Sequence, residues 1–332
     1  MKKLSLDLIE KITDFEAESA LSLRGYALEK DYFVTEVLAL IRSMPPNPDF
    51  RWVFCGGTSL AKAFGIVQRM SEDLDFKLMP SHAPSVRSKS QLRRQLSACA
   101  DQVMAALEQA GYGPHAVTRR SMDSNAYTVL EIEYESAYAK PSTLRSRLLL
   151  EINHTTRICV TEKRPVGLLL DLLISGHYKD PIEIECASLR DTLVEKCVAF
   201  PRRLAQHLAN TSPTQTLSKD SGWDTALVRH IYDVNQMLQS DPAMAQADKA
   251  LIQTVEDVIA QDAQEFAAQF PGFASNPWAH IQNALSWAEA SPVLAAQYQA
   301  FVADMVYAPP EQIPTYRQAL DVFSQALLAS RP

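Results

Sequence analysis

One short segment contains the side chains whose types and spacing could do chemistry. A strand-like stretch at 52–54 runs into Gly56 and Gly57, and Thr58 and Ser59 follow, either of which could N-cap the next short helix. A helix that starts after glycines offers free main-chain N–H groups to an anion, and the hydroxyls add donors. We expect Gly57 to supply the positive φ and the close backbone approach. The four residues are therefore a candidate phosphate cradle, although the Walker A pattern is absent.

Two carboxylates follow this turn. Asp73 and Asp75 stand two apart at the start of an apolar strand, so period-2 geometry places both on one face, ~6.5–7 Å apart along the strand. Leu74 and Phe76 then point to the core. Carboxylates at this spacing can share divalent cations. A glycine turn or a D-x-D pair alone is more often structural. Together they match the layout that holds a nucleoside triphosphate through Mg²⁺.

The elements that must position these groups can be predicted from periodicity. Two N-terminal helices at 4–22 and 27–43 precede the segment, and further strands are predicted at 74–78, 127–134, 147–153 and 181–186. A long amphipathic helix is predicted over 90–110, and the pattern is helical from residue 188 to the end. We therefore predict an α+β fold with an N-terminal helical segment (1–48), a mixed-sheet core (49–187) and an all-helical C-terminal lobe (188–332).

The segment resembles the first motif of a known family, in residues 54–62 and 69–76. That family is the nucleotidyltransferases that contain the AbiEii and AbiGii toxins of abortive-infection and type IV toxin–antitoxin systems, within the DNA polymerase β-like superfamily. Residues 28–34, 193–200 and 229–233 are similar to further signatures of the family. The resemblance covers roughly residues 28 to 238. The glycine-to-aspartate block is its most specific part.

The resemblance implies a third carboxylate on a neighbouring strand. Glu151, at the end of an apolar stretch, is the best candidate to join Asp73 and Asp75 as a metal ligand. Three other acidic residues are alternative candidates for the third ligand: Glu131, Glu133 and Glu135. They alternate with apolar residues, which is typical of the solvent-facing side of an edge strand, so they rank lower than Glu151.

The resemblance also implies roles for four polar residues outside the strands. In the family, the residues matching Lys196 and Asp233 line the nucleotide site, and the lysine contacts phosphates; Arg69 and Ser71 also match the motif. Pattern alone favours another interpretation, in which Asp233 pairs with Arg229 on its own helix and Lys196 extends nearby. Ser71 could equally N-cap a turn or bind Asp73.

The function that the resemblance implies is nucleotidyl transfer. Mg²⁺, with Mn²⁺ as an alternative, would be held by the carboxylates, and an NTP bound in a cleft between core and lobe would pass its NMP to an acceptor hydroxyl. The acceptor would be RNA, with tRNA as a candidate, and the protein would be a toxin restrained by a cognate antitoxin. Alternatives are a small-molecule or protein acceptor, or a catalytically silent nucleotide-binding module.

Charge is unevenly distributed along the chain. The formal net charge is −7, yet residues 80–165 contain 12 Lys and Arg against 8 Asp and Glu, whereas 240–332 contain 3 against 10. An RNA acceptor would meet the basic central region. The candidate residues there are Arg87, Lys89, Arg93 and Arg94, with Arg119, Arg120, Arg145 and Arg147 as further contributors.

Length, composition and cysteine usage indicate in which cellular compartment the protein works. At 332 residues the chain is too long for one core, and its apolar runs are too short to span a membrane. Five widely spaced cysteines without a C-x-x-C pair argue against a disulfide framework and for a reducing compartment. The N-terminus lacks the pattern of a secretory signal. These features predict a cytoplasmic protein.

Overall fold

The computed structural model describes residues 1–19, 23–71, 73–82, 88–139, 147–211 and 217–331. Contacts divide the chain into two compact units. The first contains Met1–Gly65 and Met70–Ala187, and the second contains Ile66–Arg69 and Ser188–Pro332. The mixed α/β fold class with N-terminal helices and a helical C-terminal region is confirmed.

A seven-stranded mixed sheet forms the centre of the first unit, in the order β3-β4-β5-β2-β1-β7-β6. The strands are β1 Phe50–Cys55, β2 Asp73–Pro80, β3 Val117–Met122, β4 Tyr127–Glu133, β5 Arg147–His154, β6 Thr161–Val166 and β7 Ile182–Ala187. β2 lies antiparallel to β1 and parallel to β5, which makes β2 a central strand of the sheet.

The first unit also contains five α-helices in the described residues. They are α1 Leu6–Glu18, α2 Gly25–Ser43, α3 Gly56–Lys62, α4 Lys89–Leu107 and α5 Leu169–Ser175. Along β2, Leu74 and Phe76 are fully buried, and strand register places Arg119 of β3 on the same face as Leu74. Arg119 binds Asp101 of α4, so α4 lies on that face. The aspartates of β2 belong to the opposite face.

The second unit is helical. Its helices are α6 Leu189–Asn210, α7 Arg229–Ser240, α8 Lys249–Glu265, α9 Pro277–Glu289, α10 Pro292–Met305 and α11 Tyr316–Ala329. The predicted apolar stripe of α6 is confirmed, since Leu193, Cys197, Phe200 and Leu204 are all buried.

The short segment Ile66–Arg69 is part of this second unit. Arg69 forms a β-bridge with Val306, and the carbonyl of Gln68 accepts a hydrogen bond from the N–H of Tyr307 at 3.0 Å.

Most predicted elements are present, and the exceptions have physical reasons. The predicted strands coincide with β1, β2, β4, β5 and β7. The two edge strands were missed: β3 is largely exposed and charged, and β6 contains Pro165, which cannot donate to a ladder. The first short helix begins at Gly56 rather than Leu60, so the prediction that Thr58 or Ser59 caps it is wrong.

Two further observations concern the cysteines and the helices. All five cysteines are buried and carry free thiols. Among the described residues, none of the helices combines the length and the hydropathy that crossing a membrane requires.

Candidate active site

The carboxylates of β2 share one face of the sheet, as predicted. Asp73 and Asp75 are half-buried, while Leu74 between them and Phe76 after them are fully buried on the other face. A central strand that alternates in this way exposes two acidic groups while its apolar residues fill the core. β2 therefore presents a pair of oxygen ligands without weakening the sheet.

Glu151 lies next to Asp75 on that face. The two residues are partners in the parallel register of β2 and β5, so their side chains project in the same direction. The hydroxyl of Tyr127 on β4 donates a 2.7 Å hydrogen bond to Oε2 of Glu151. Sequence reasoning missed this tyrosine, because the first residue of a predicted strand gives no sign that its hydroxyl reaches across to a carboxylate.

The described residues contain no group of three His, Cys, Asp or Glu side chains that could hold a metal ion. The register brings Glu151 beside Asp75, and one of its two carboxylate oxygens accepts the Tyr127 hydroxyl. The assignment of Glu151 as a third metal ligand stays a prediction.

Gly56 brings the main chain against Asp75. Its φ is +75°, and a β-carbon at this position would overlap the Asp75 carboxylate. Gly57 instead lies within the first turn of α3, so the expectation that Gly57 supplies the positive φ is wrong. A side chain at position 56 would be both strained and obstructed, and only glycine allows this approach.

The two hydroxyls of the predicted cradle face inward. Thr58 is buried, and its hydroxyl donates to the main-chain carbonyl of Asp73 and is hydrogen-bonded to the Ser71 hydroxyl at 2.7 Å. Ser59 is also buried. Thr58 and Ser71 thus fix the start of β2. Phosphate binding by the hydroxyls of Thr58 and Ser59 stays a prediction.

A second group of predicted residues meets inside the second unit. Arg69 binds Asp233 through a fork, with Nε at 2.7 Å from Oδ1 and Nη2 at 2.8 Å from Oδ2. Nζ of Lys196 lies 2.9 Å from the same Oδ2. All three residues are buried, and Asp233 is 0% exposed. The alternative in which Asp233 pairs with Arg229 of its own helix is replaced by a triad that joins three separate segments.

The triad determines the charge state of its members. Burial by itself raises the pKa of Asp233, but the charges of Arg69 and Lys196 and their hydrogen bonds outweigh this, so the pKa lies well below its ordinary value. Asp233 is therefore ionised, and two cations face one anion. Burial, together with the repulsive charge of Lys196, lowers the pKa of the adjacent His230, which keeps that imidazole neutral.

Comparison with known proteins identifies the family. The family model described as "Nucleotidyl transferase AbiEii toxin, Type IV TA system" matches residues 43–322. The chain belongs to this family. The AbiEii match confirms the nucleotidyltransferase resemblance and extends it through most of the helical unit, where the sequence offered no recognisable motif beyond about residue 238. This AbiEii chain is thus a nucleotidyltransferase of a type IV toxin family.

Comparison with solved structures gives a similarity at low sequence identity. The chain is similar to MenT4, a nucleotidyltransferase toxin from Mycobacterium tuberculosis, with 16% sequence identity, 99% of this chain and 100% of that chain covered, and a TM-score of 0.37. A sequence comparison with curated proteins gives no match.

Proposed function

We propose that this AbiEii-family protein transfers a nucleoside monophosphate from an Mg-bound NTP to a hydroxyl of an RNA, with tRNA as the first candidate. The observation that carries the proposal is the half-buried pair Asp73 and Asp75 on a central strand, with the Gly56 main chain directly against Asp75. This combination offers hard oxygen ligands beside a glycine turn.

The donor set suits Mg²⁺. This ion prefers carboxylate oxygens, keeps several waters, and is commonly bound through one or two carboxylates plus substrate phosphates rather than in an all-protein cage. Asp73 and Asp75 supply two such carboxylates, and Mn²⁺ accepts the same donors. Asp73 and Asp75 would hold the ion, with Glu151, the register partner of Asp75, as the proposed third ligand. When bound, the ion would supply Lewis-acid stabilisation of the phosphate charges.

The reaction forms one bond and breaks one bond at the α-phosphorus of the NTP. The acceptor oxygen bonds to the α-phosphorus, its proton is lost, and the bond to the leaving pyrophosphate breaks. The contribution of this chain is positioning: Thr58 and Ser71 fix the first residues of β2, and Gly56 allows the main chain to lie against Asp75. Positioning and electrostatics account for most of the catalysis in phosphoryl chemistry.

Lys196 is the proposed group that neutralises phosphate charge. Its ammonium is oriented by Asp233, and the Arg69 fork fixes Asp233 in turn. Because two cations share one carboxylate, the triad retains a positive charge. In this proposal Arg69 and Asp233 position the lysine and do not themselves touch the substrate.

The decisive experiment is transfer of label. The protein is incubated with each α-labelled NTP, Mg²⁺ and total cellular RNA, beside the Asp73→Asn and Asp75→Asn variants. Label in RNA that both variants lose supports the proposal. Label in protein or in metabolites would show that the acceptor is a protein or a small molecule rather than RNA. The absence of label with every NTP would refute nucleotidyl transfer itself.

The biological setting is proposed from the family. A toxin that modifies RNA must be restrained in its own host, so we propose a cognate antitoxin protein as partner and the cytoplasm as location. Co-expression with the neighbouring open reading frame, scored by growth, tests the antitoxin. Growth arrest that no neighbouring gene relieves would refute it.

A further inference from the structure

Two exposed arginines are held by one carboxylate on the outer strands of the sheet. Nη2 of Arg120 on β3 lies 2.8 Å from Oε1 of Glu131 on β4, and Nη1 of Arg147 on β5 lies 2.9 Å from Oε2 of the same residue. The Glu131 side chain is 14% exposed, whereas those of Arg120 and Arg147 are 67% and 45% exposed. We call this group the arginine clamp.

The clamp lies on the same face of the sheet as the aspartates. Glu131 is the register partner of Leu149 on β5, and Leu149 is the partner of Asp73 on β2. Paired residues project to the same side, so Glu131 and Asp73 share one face. Two strand spacings separate them, about 10 Å. The clamp and the carboxylate pair therefore project from the same face of the sheet within the first unit.

The clamp carries a net positive charge with a fixed geometry. Each oxygen of Glu131 receives one guanidinium, which leaves two cations against one anion. A guanidinium has five N–H donors in a planar fork, so each arginine retains donors that face solvent and match a phosphate. Because Glu131 restricts both side chains, less conformational entropy is lost when an anion binds.

The neighbouring basic residues are placed differently. Arg119 lies on the opposite face, where Asp101 and Ser97 of α4 bind its guanidinium. Lys89, Arg93 and Arg94 are exposed on α4 itself, the helix that covers that opposite face. Arg87 and Arg145 lie outside the described residues. Of the basic residues expected to meet RNA, Arg120 and Arg147 are the two that the described structure places on the face of the aspartates.

We propose that the arginine clamp binds backbone phosphates of the acceptor RNA and so directs its reacting hydroxyl to Asp73 and Asp75. This subsite rests on the proposed function, because it presumes an RNA acceptor. The phosphates of an extended strand offer repeated negative charges behind the reacting end. Two guanidinium forks held at Glu131, whose strand lies about 10 Å from that of the aspartates, can bind these phosphates without competing for the metal ligands.

The test compares Arg120→Gln/Arg147→Gln with Arg119→Gln, the adjacent arginine on the opposite face. Thermal melting first checks that each variant folds; if the double variant does not, Arg120→Gln alone takes its place. Binding of a labelled single-stranded RNA is measured by anisotropy across a salt series. Two lost phosphate contacts should flatten the slope of log K against log salt by about 1.4, since each contact contributes about 0.7 on a single strand. Arg119→Gln should retain the wild-type slope.

Two readouts separate this inference from the proposed function. With labelled NTP and RNA, the double variant should show a KM for RNA raised about tenfold or more, with kcat and the calorimetric affinity for Mg-NTP unchanged. An unchanged salt slope and KM, or equal losses in Arg119→Gln, would overturn the clamp while RNA labelling still stands. Absence of RNA labelling in the wild type would overturn both the proposed acceptor and the clamp.

Discussion

Asp233→Asn tests whether the buried triad holds the second unit together. The substitution keeps the shape of the side chain but removes its charge, leaving Arg69 and Lys196 buried beside each other without their shared anion. Removing one partner of a buried ion pair typically costs about 3–5 kcal/mol. For a cooperative unit of 150–250 residues each kcal/mol lowers Tm by about 2–4 °C, so the expected fall is between about 6 and 20 °C.

The matched control is Asp224→Asn in the same unit. Asp224 pairs with Arg203 at 3.2 Å, but the two side chains are 44% and 42% exposed. Exposed pairs contribute about 0–1 kcal/mol, and asparagine preserves the N-cap that Asp224 provides. We therefore expect a change of only a few degrees at most. Differential scanning calorimetry of both variants at pH 7 makes the comparison.

The pH dependence supplies an independent check with a defined sign. The pKa of Asp233 is lower in the folded protein than in the unfolded chain, so its contribution is fully present above the unfolded pKa of about 4. It is lost as pH falls below that value towards the folded pKa. The difference in free energy of unfolding between wild type and Asp233→Asn should therefore be constant from pH 7 to 5. Below pH 4 this difference should become smaller.

Two results would refute this account of the triad. The first is an Asp233→Asn protein that melts within about 2 °C of wild type at pH 7. The second is a difference in free energy of unfolding between the two proteins that stays constant or increases as the pH falls from 5 to 3. A triple replacement, Arg69→Met/Lys196→Met/Asp233→Leu, separates stability from function. It should recover much of the lost stability, because apolar groups can replace a buried ion cluster, while transfer stays absent.

Four further predictions concern the first unit. Asp75→Asn should abolish transfer and leave the melting profile near wild type, because the residue is half-buried and the isostere keeps its shape; residual transfer above a few per cent would contradict this. Gly56→Ala should lower stability by more than about 1–2 kcal/mol in denaturant titrations, from positive φ and overlap with Asp75; an unchanged midpoint would contradict it. Thr58→Val should cost about 1–3 kcal/mol and Thr58→Ser much less, since only valine leaves the Asp73 carbonyl without its donor. Tyr127→Phe should change transfer by severalfold with little change in Tm if Glu151 assists the aspartates; no change in transfer would leave Glu151 outside the site.

The strand that carries the aspartates was predictable because its signal is local. Alternation of Asp73 and Asp75 with Leu74 and Phe76 has the period of a strand with one buried face, and any register that buries the leucine exposes the aspartates. The edge strands β3 and β6 lack that alternation. β3 is mostly exposed, and β6 has three consecutive charged residues followed by Pro165, so hydrophobic periodicity identifies neither strand.

The partner of Asp233 was not predictable from helical spacing. Spacing within α7 shows neighbours three or four residues away, which favoured Arg229. The observed bidentate partner, Arg69, is 164 residues earlier in the chain. Likewise, the identity of the left-handed glycine depends on where α3 begins, and sequence patterns locate helix ends to within a few residues at best. The sequence therefore named Asp233 and Arg69 as candidates, but only the tertiary structure shows that they pair with each other.

The placement of Ile66–Arg69 in the second unit has a consequence for synthesis on the ribosome. The bridge partner of Arg69 is Val306, and Gln68 binds Tyr307, so this early segment meets its contacts only after almost the whole chain has been translated. At about 5–20 residues per second, the residues between Arg69 and Asp233 alone take about 8–30 s to emerge. A nascent chain released early would therefore carry the complete sheet and its aspartates, yet Arg69 would still lack its carboxylate.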